Sequence, residues 1–310
     1  MSTPRPAPAP ATLILLAALC LPAHGPAPAA SATTATRQTS SAAPSSIIFA
    51  VERYADGNEI IDPVAVVRGG SFSPPPGGMD NDGTPQAQRA EEEFVKEFYR
   101  PGREYRVLFG GGEAGRARVV EYGEQGCVGM VAQAKVETPA RLGGPVAALA
   151  TDSASFGRGA GTRRAPTTEE RAAAVALARK ILGQKRVPAG VVSQMEVNNL
   201  TAVDTDGDGR QELVGSFVVM SAQGARYALF LVAARGAQTT VTLTPALAWF
   251  KKSGEADTEY RQLVDVLDVD GDGVAEIFVR NIYYESHDYS VYKRSGNTWR
   301  VVYTGAGGGC

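Results

Sequence analysis

The 310-residue chain has three cysteines and two histidines, and neither type clusters. No zinc or thiolate centre can be assembled from so few ligands, which excludes His/Cys metal chemistry. After residue 32 the single histidine is His287, in YYESHDYSVY. A Gly-x-Ser-x-Gly nucleophile elbow is absent as well. Dense runs of basic residues are also missing: 31 Lys and Arg face 33 Asp and Glu, a formal net charge of −2. That balance speaks against nucleic acid or an anionic membrane surface as a partner. The nearest basic pair, Arg163–Arg164, reads as a solvated linker before a helix. Beyond the first two dozen residues there is no apolar run long enough to cross a bilayer.

What is present begins with an unusual N-terminus. Arg5 precedes ATLILLAALCLPA, an apolar run of about thirteen residues, and then the small residues of GPAPAASA. The run is too short for a stable anchor, and its flanks suit signal peptidase, so residues 1–32 are expected to be a secretory signal peptide. Cys20 raises a lipoprotein alternative, but Leu19 stands where a lipoprotein signal wants a small residue. Residues 33–46 are polar and of low complexity, a disordered linker. The expected location is periplasmic or extracellular. Two cysteines then remain, Cys127 and Cys310, a candidate disulfide in an oxidising compartment.

Two structured regions are expected, 47–160 and 165–310, divided by a Gly/Arg/Pro stretch at 157–166. In the first, SIIFAVERY and EIIDPVAVVRGGSF read as strands joined at Ala-Asp-Gly-Asn. Pro85–Tyr99 reads as a helix, with Ala90, Phe94, Val95 and Phe98 on one face. Further strands follow, and the GGGEAG stretch at 110–115 reads as a hairpin turn: a phosphate cradle would want a following helix, where ARVVEYG reads as strand. In the second region Thr167 and Glu170 make a capping box for a helix to about Gln184, with Ala174, Leu177, Ile181 and Leu182 as its buried stripe. Eight strand-like segments joined by short turns then argue for an antiparallel sheet. The fold class expected is α+β, mostly antiparallel β.

Two acidic loops stand out. Residues 204–212 read DTDGDGRQE and residues 268–276 read DVDGDGVAE. An EF-hand would need a glutamate at position twelve, where these copies carry Gly215 and Val279, and helices on both sides. What remains are carboxylates at positions one, three, five and nine: Asp204, Asp206, Asp208 and Glu212, then Asp268, Asp270, Asp272 and Glu276. Position seven, Arg210 or Val274, can offer its backbone carbonyl. Clustered carboxylates repel unless a cation sits among them, and an all-oxygen set suits Ca²⁺. The loops resemble the calcium loops of the integrin-type FG-GAP and VCBS repeats, Asp-x-Asp-Gly-Asp-Gly-x-x-Asp/Glu followed by an apolar strand residue, here Leu213 and Ile277. The resemblance covers roughly residues 195–310 and implies structural calcium pinning a hairpin between antiparallel strands. Two copies fall short of a closed propeller, so blade-like hairpins in one smaller, incomplete propeller-like sheet are expected.

Catalytic signals are sparse. Ser286 and Asp288 adjoin His287, but strand neighbours point to opposite faces. Glu285, Asp288 and Asp265 are carboxylates that no spacing selects. Tyr283, Tyr284, Tyr289, Tyr292, Trp299 and Tyr303 crowd the last thirty residues, as core aromatics or as a platform for a glycan or peptide. The leading expectation is a calcium-bearing binding module acting on an unknown protein or glycan ligand without catalysis. The alternative is a secreted hydrolase with structural calcium and a site between the two regions.

Overall fold

The strand SIIFAV lacks the alternation of a half-exposed strand, and the reason is that both its faces are covered. In the computed structural model, which describes residues 45–75, 84–123, 129–236 and 241–309, the described residues form one compact unit. Strand β1 (Ser45–Arg53) turns Ile47, Phe49 and Val51 into the interior of a barrel and Ile48 outward into a second core. The barrel has six strands, ordered β1, β7 (Ala148–Thr151), β4 (Glu104–Phe109), β5 (Gly112–Tyr122), β6 (Ala132–Glu137) and β2 (Glu59–Arg68), with β2 paired back to β1. A three-residue strand, β3 (Ser71–Ser73), extends it at β2. Helix α1 (Pro85–Phe98) packs Phe94, Val95 and Phe98 against the barrel interior, and Tyr99 donates its hydroxyl to the Met130 carbonyl at 2.6 Å.

The second region forms two sheets where one was expected. Strands β8 (Glu196–Val203), β9 (Glu212–Met220), β10 (Arg226–Arg235) and β11 (Leu243–Ser253) make one antiparallel meander. Strands β12 (Tyr260–Leu267), β13 (Glu276–Ile282), β14 (Ser286–Ser295) and β15 (Thr298–Gly309) make another with the same order. The 64-residue spacing of the acidic loops is thus the length of one four-stranded sheet, since 260 − 196 = 64 and 276 − 212 = 64. The two regions pack as layers. The barrel wall lies on one face of the β12–β15 sheet through Ile48, Val64, Leu149, Phe278 and Tyr303. Phe230 and Val232 meet Ile277, Val279 and Trp299 between the two sheets. The outer face of the β8–β11 sheet is covered by α2 (Thr168–Gln184) and the short α3 (Ala189–Val192). Because both sheets are buried on both faces, Leu229 to Ala233 are all at or below 1% exposed.

The capping box of α2 forms: Thr167 accepts from the Glu170 N–H, and the Glu170 carboxylate accepts from the Thr167 N–H at 2.8 Å. That carboxylate, 1% exposed, also holds Arg164 at 2.8 Å and Arg235 of β10 at 3.3 Å. Residues 157–166 do not run free as a solvated linker. The Arg163 side chain is buried and donates to the Ala147 and Val264 carbonyls at 3.0 and 2.7 Å, with Asp265 3.2 Å away. Asp265 also accepts from the Gly110 N–H with both oxygens, at 3.0 and 2.9 Å. Gly110 has φ +64°, and a Cβ there would lie 2.3 Å from the Arg163 backbone nitrogen, so the close crossing requires glycine.

Candidate metal centre and interlayer cleft

The acidic loops join the first and second strands of each sheet, and their backbones fold alike because their side chains tie the same knots. The Gly207 and Gly209 N–H groups donate to the two oxygens of Asp204 at 2.8 and 2.9 Å. Gly271 and Gly273 repeat this on Asp268 at 2.7 and 3.0 Å. Position nine is drawn inward as the first residue of a buried strand, leaving Glu212 8% and Glu276 1% exposed. The Thr205 N–H and hydroxyl donate to Glu212 Oε2 at 2.8 and 2.7 Å, and the Val269 N–H donates to Glu276 Oε2 at 2.9 Å. The loops lie side by side, with the Ala275 N–H donating to the Thr205 carbonyl at 2.8 Å.

Two sets of carboxylates converge. Oxygens of Asp204, Asp206 and Glu212 lie within 4.8 Å of one another, and so do those of Asp268, Asp270 and Glu276. The position-five carboxylates do not join these sets. Asp208 and Asp272 instead accept from the N–H groups of Arg210 and Val274 at 2.7 and 2.9 Å, closing the turn. The Val274 side chain packs against the core between the sheets, and the Arg210 guanidinium pairs with Asp208 at 3.5 Å. The converging donors are all carboxylate oxygens, the chemistry a hard divalent cation takes. In the first set Glu212 Oε1 receives no hydrogen bond among the described residues, although its side chain is nearly buried. Burial pushes the Glu212 carboxyl up, and Asp206 and Asp204 add to the rise against the Thr205 bonds. These residues could hold a metal ion.

Protein cations reach both loops from neighbouring positions of β14. Lys293 Nζ donates to Asp270, to Asp272 at 2.9 Å and to Glu276 Oε1 at 3.1 Å. The bond to Asp270 heads the causes that raise the Lys293 amine well above its ordinary value. Arg294 donates to Asp206. No local pattern in SVYKRS marks either residue as a partner of these loops; only the ladder of β13 and β14 brings them there.

A second candidate site is a cavity of about 460 Å³ between the barrel rim and the β12–β15 sheet. Glu52, Tyr54 and Gly144 line one side, and Tyr260, Arg280, Tyr283, Tyr284, Glu285, Ser286 and His287 the other. At its floor His287 Nε2 is 2.7 Å from Oδ2 of Asp62, which also accepts the Tyr289 hydroxyl at 2.7 Å. Asp62 is 1% exposed, and its contact fixes the orientation of the His287 ring. Glu52 accepts twice from Arg280, at 2.8 and 2.6 Å. Burial raises the Glu52 carboxyl, against the pull of Arg280.

The structure sorts the sequence candidates here. Of the three loose carboxylates only Glu285 lines the cavity. Asp288 is held by Asn281 and by Tyr283 at 3.0 Å, and Asp265 lies in the core with Arg163. Tyr289, Tyr292, Trp299 and Tyr303 are buried packing residues, whereas Tyr284 is 58% exposed. Asp62 was missed. Its signal was a lone carboxylate inside the apolar run IIDPVAVV. Cys127 and Cys310 lie outside the described residues, as does the expected signal peptide. Among the described residues no helix is long and apolar enough to cross a membrane. Comparison of the chain with family models, curated proteins and solved structures finds no match.

Proposed function

We propose that the protein is an exported calcium-binding module, of the FG-GAP/VCBS-like kind, that uses the interlayer cleft to hold a glycan or peptide. The convergence of Asp204, Asp206 and Glu212, with Glu212 Oε1 left for a ligand, carries the calcium reading. The ion is structural: the first loop ends in the nearly buried Glu212, so a cation there fastens the first hairpin of its sheet. Tyr54, Tyr260, Tyr283 and Tyr284 give the cleft faces for stacking, and Arg280 and Glu285 give it polar edges, which suits a ligand rich in hydroxyls or amides.

In differential scanning fluorimetry the melting temperature falls on adding a chelator and returns with Ca²⁺ rather than Mg²⁺; an unchanged Tm refutes the calcium reading. At millimolar Ca²⁺ and a dissociation constant near 0.1 mM, one site adds about 1.4 kcal/mol. A glycan and peptide array, screened with and without Ca²⁺, tests the cleft, with Tyr284→Ala expected to abolish the signal. The hydrolase reading is the second, and one observation favours it: the Asp62-oriented imidazole of His287 lines the same cleft. Turnover of an array ligand, lost in His287→Gln, decides for that reading.

A further inference from the structure

The two acidic loops have equivalent sequences and equivalent backbone hydrogen bonds, but they differ in the cation that the fold delivers to them. In the second loop the Lys293 ammonium has three N–H donors and meets three carboxylates, those of Asp270, Asp272 and Glu276. One of them is Glu276 Oε1, the counterpart of the oxygen that stays without a donor on Glu212. The ladder registers explain the difference. Leu213 pairs with Ala233 in the first sheet, and its counterpart Ile277 pairs with Tyr292 in the second. The residue that follows is therefore Ala234 in the first sheet and Lys293 in the second. The register position that carries a lysine in the second sheet carries an alanine in the first. Arg294 does reach the first loop, but it bonds Asp206 alone and leaves Asp204 and Glu212 to other partners.

We propose that Lys293 is a tethered cation that takes the place of a divalent ion in the second loop, so that calcium dependence belongs to the first loop. The inference rests on the calcium reading above for the first loop only. A divalent ion entering the second loop must displace an ammonium that its own strand holds in place, whereas at Glu212 Oε1 it meets no donor from the described residues. The two like-ordered sheets thus hold one metal-responsive hairpin and one whose acidic loop is neutralised by the chain's own ammonium.

The test is calorimetric titration of the full chain with Ca²⁺. The wild type binds one ion, Asp206→Ala binds none, Asp270→Ala still binds one, and Lys293→Gln binds two. A wild type that binds two ions overturns the proposal, as does a single ion that is lost in Asp270→Ala and kept in Asp206→Ala. A Lys293→Gln chain that folds and binds no more than the wild type overturns it also. A count of zero that rises to one in Lys293→Gln sinks the calcium reading of the first loop while bearing out the tethered cation. Should Lys293→Gln fail to fold, the Asp206→Ala and Asp270→Ala counts decide the matter alone.

Discussion

The two four-stranded sheets have the same strand order, the same acidic loop after the first strand and the same buried glutamate at the start of the second. Their surroundings differ. The β8–β11 sheet carries an amphipathic helix on its outer face, and the β12–β15 sheet carries a barrel. Each sheet has acquired its charges from its own neighbour: Arg235 of the first answers Glu170 of α2, while Arg280 of the second answers Glu52 of the barrel and Asp62 of the barrel takes His287. A repeated unit keeps its topology because local hydrogen bonding repeats, but its chemistry follows whatever packs against it.

The comparison can be tested from its strongest joint downward. Asp265 of the second sheet holds the barrel turn at Gly110 and the buried Arg163 together, so Asp265→Ala leaves a guanidinium buried without its partner. A loss of about 3–5 kcal/mol is expected in chemical denaturation. A loss under about 1 kcal/mol would mean that the layers do not depend on this joint. The counterpart on the first sheet is smaller. Glu170→Gln, which weakens the cap and two ion pairs, should cost about 1–3 kcal/mol at pH 7. Hydrogen bonding to Arg164 is the main cause holding the Glu170 carboxyl at about 2, below its ordinary 4.5. A depressed carboxyl stabilises the fold above its unfolded pKa. The Glu170 contribution is therefore whole above about pH 5 and fades as pH falls from 4.5 toward 2, and the difference between wild type and variant should shrink over that window. A pH-independent difference would place the effect in the cap geometry alone. The smallest effect concerns the loops. In Ca²⁺, Asp206→Ala should lose about 1–2 kcal/mol, and adding a chelator should remove most of the difference from wild type. Asp270→Ala should behave alike with and without the chelator.

Much of the fold was legible where the physics is local. The capping box of Thr167 and Glu170 and the apolar stripe of α2 were readable because a helix encodes its partners within four residues. The register of DTDGDGRQE and DVDGDGVAE gave the hairpins and their converging oxygens because the donors lie inside one turn. Strand segments were visible, but their assembly into a closed barrel and two stacked sheets was not. Ile48 pairs with Thr151 across about a hundred residues, and β11 simply does not pair with β12, neither of which any local pattern marks. The aromatic cluster stayed unsorted for the same reason: whether Tyr289 or Tyr284 faces solvent depends on the layer placed over it.

By itself, then, the sequence determined which segments could be helix or strand and where two oxygen-lined turns would form, since propensity, capping and turn chemistry act over a few residues. Only the tertiary structure decided that Asp62 would orient His287 from 225 residues away and that Lys293 would sit on one acidic loop and Ala234 near the other. Long-range contacts follow from which apolar faces bury each other, and the charges on those faces meet only once the layers have stacked.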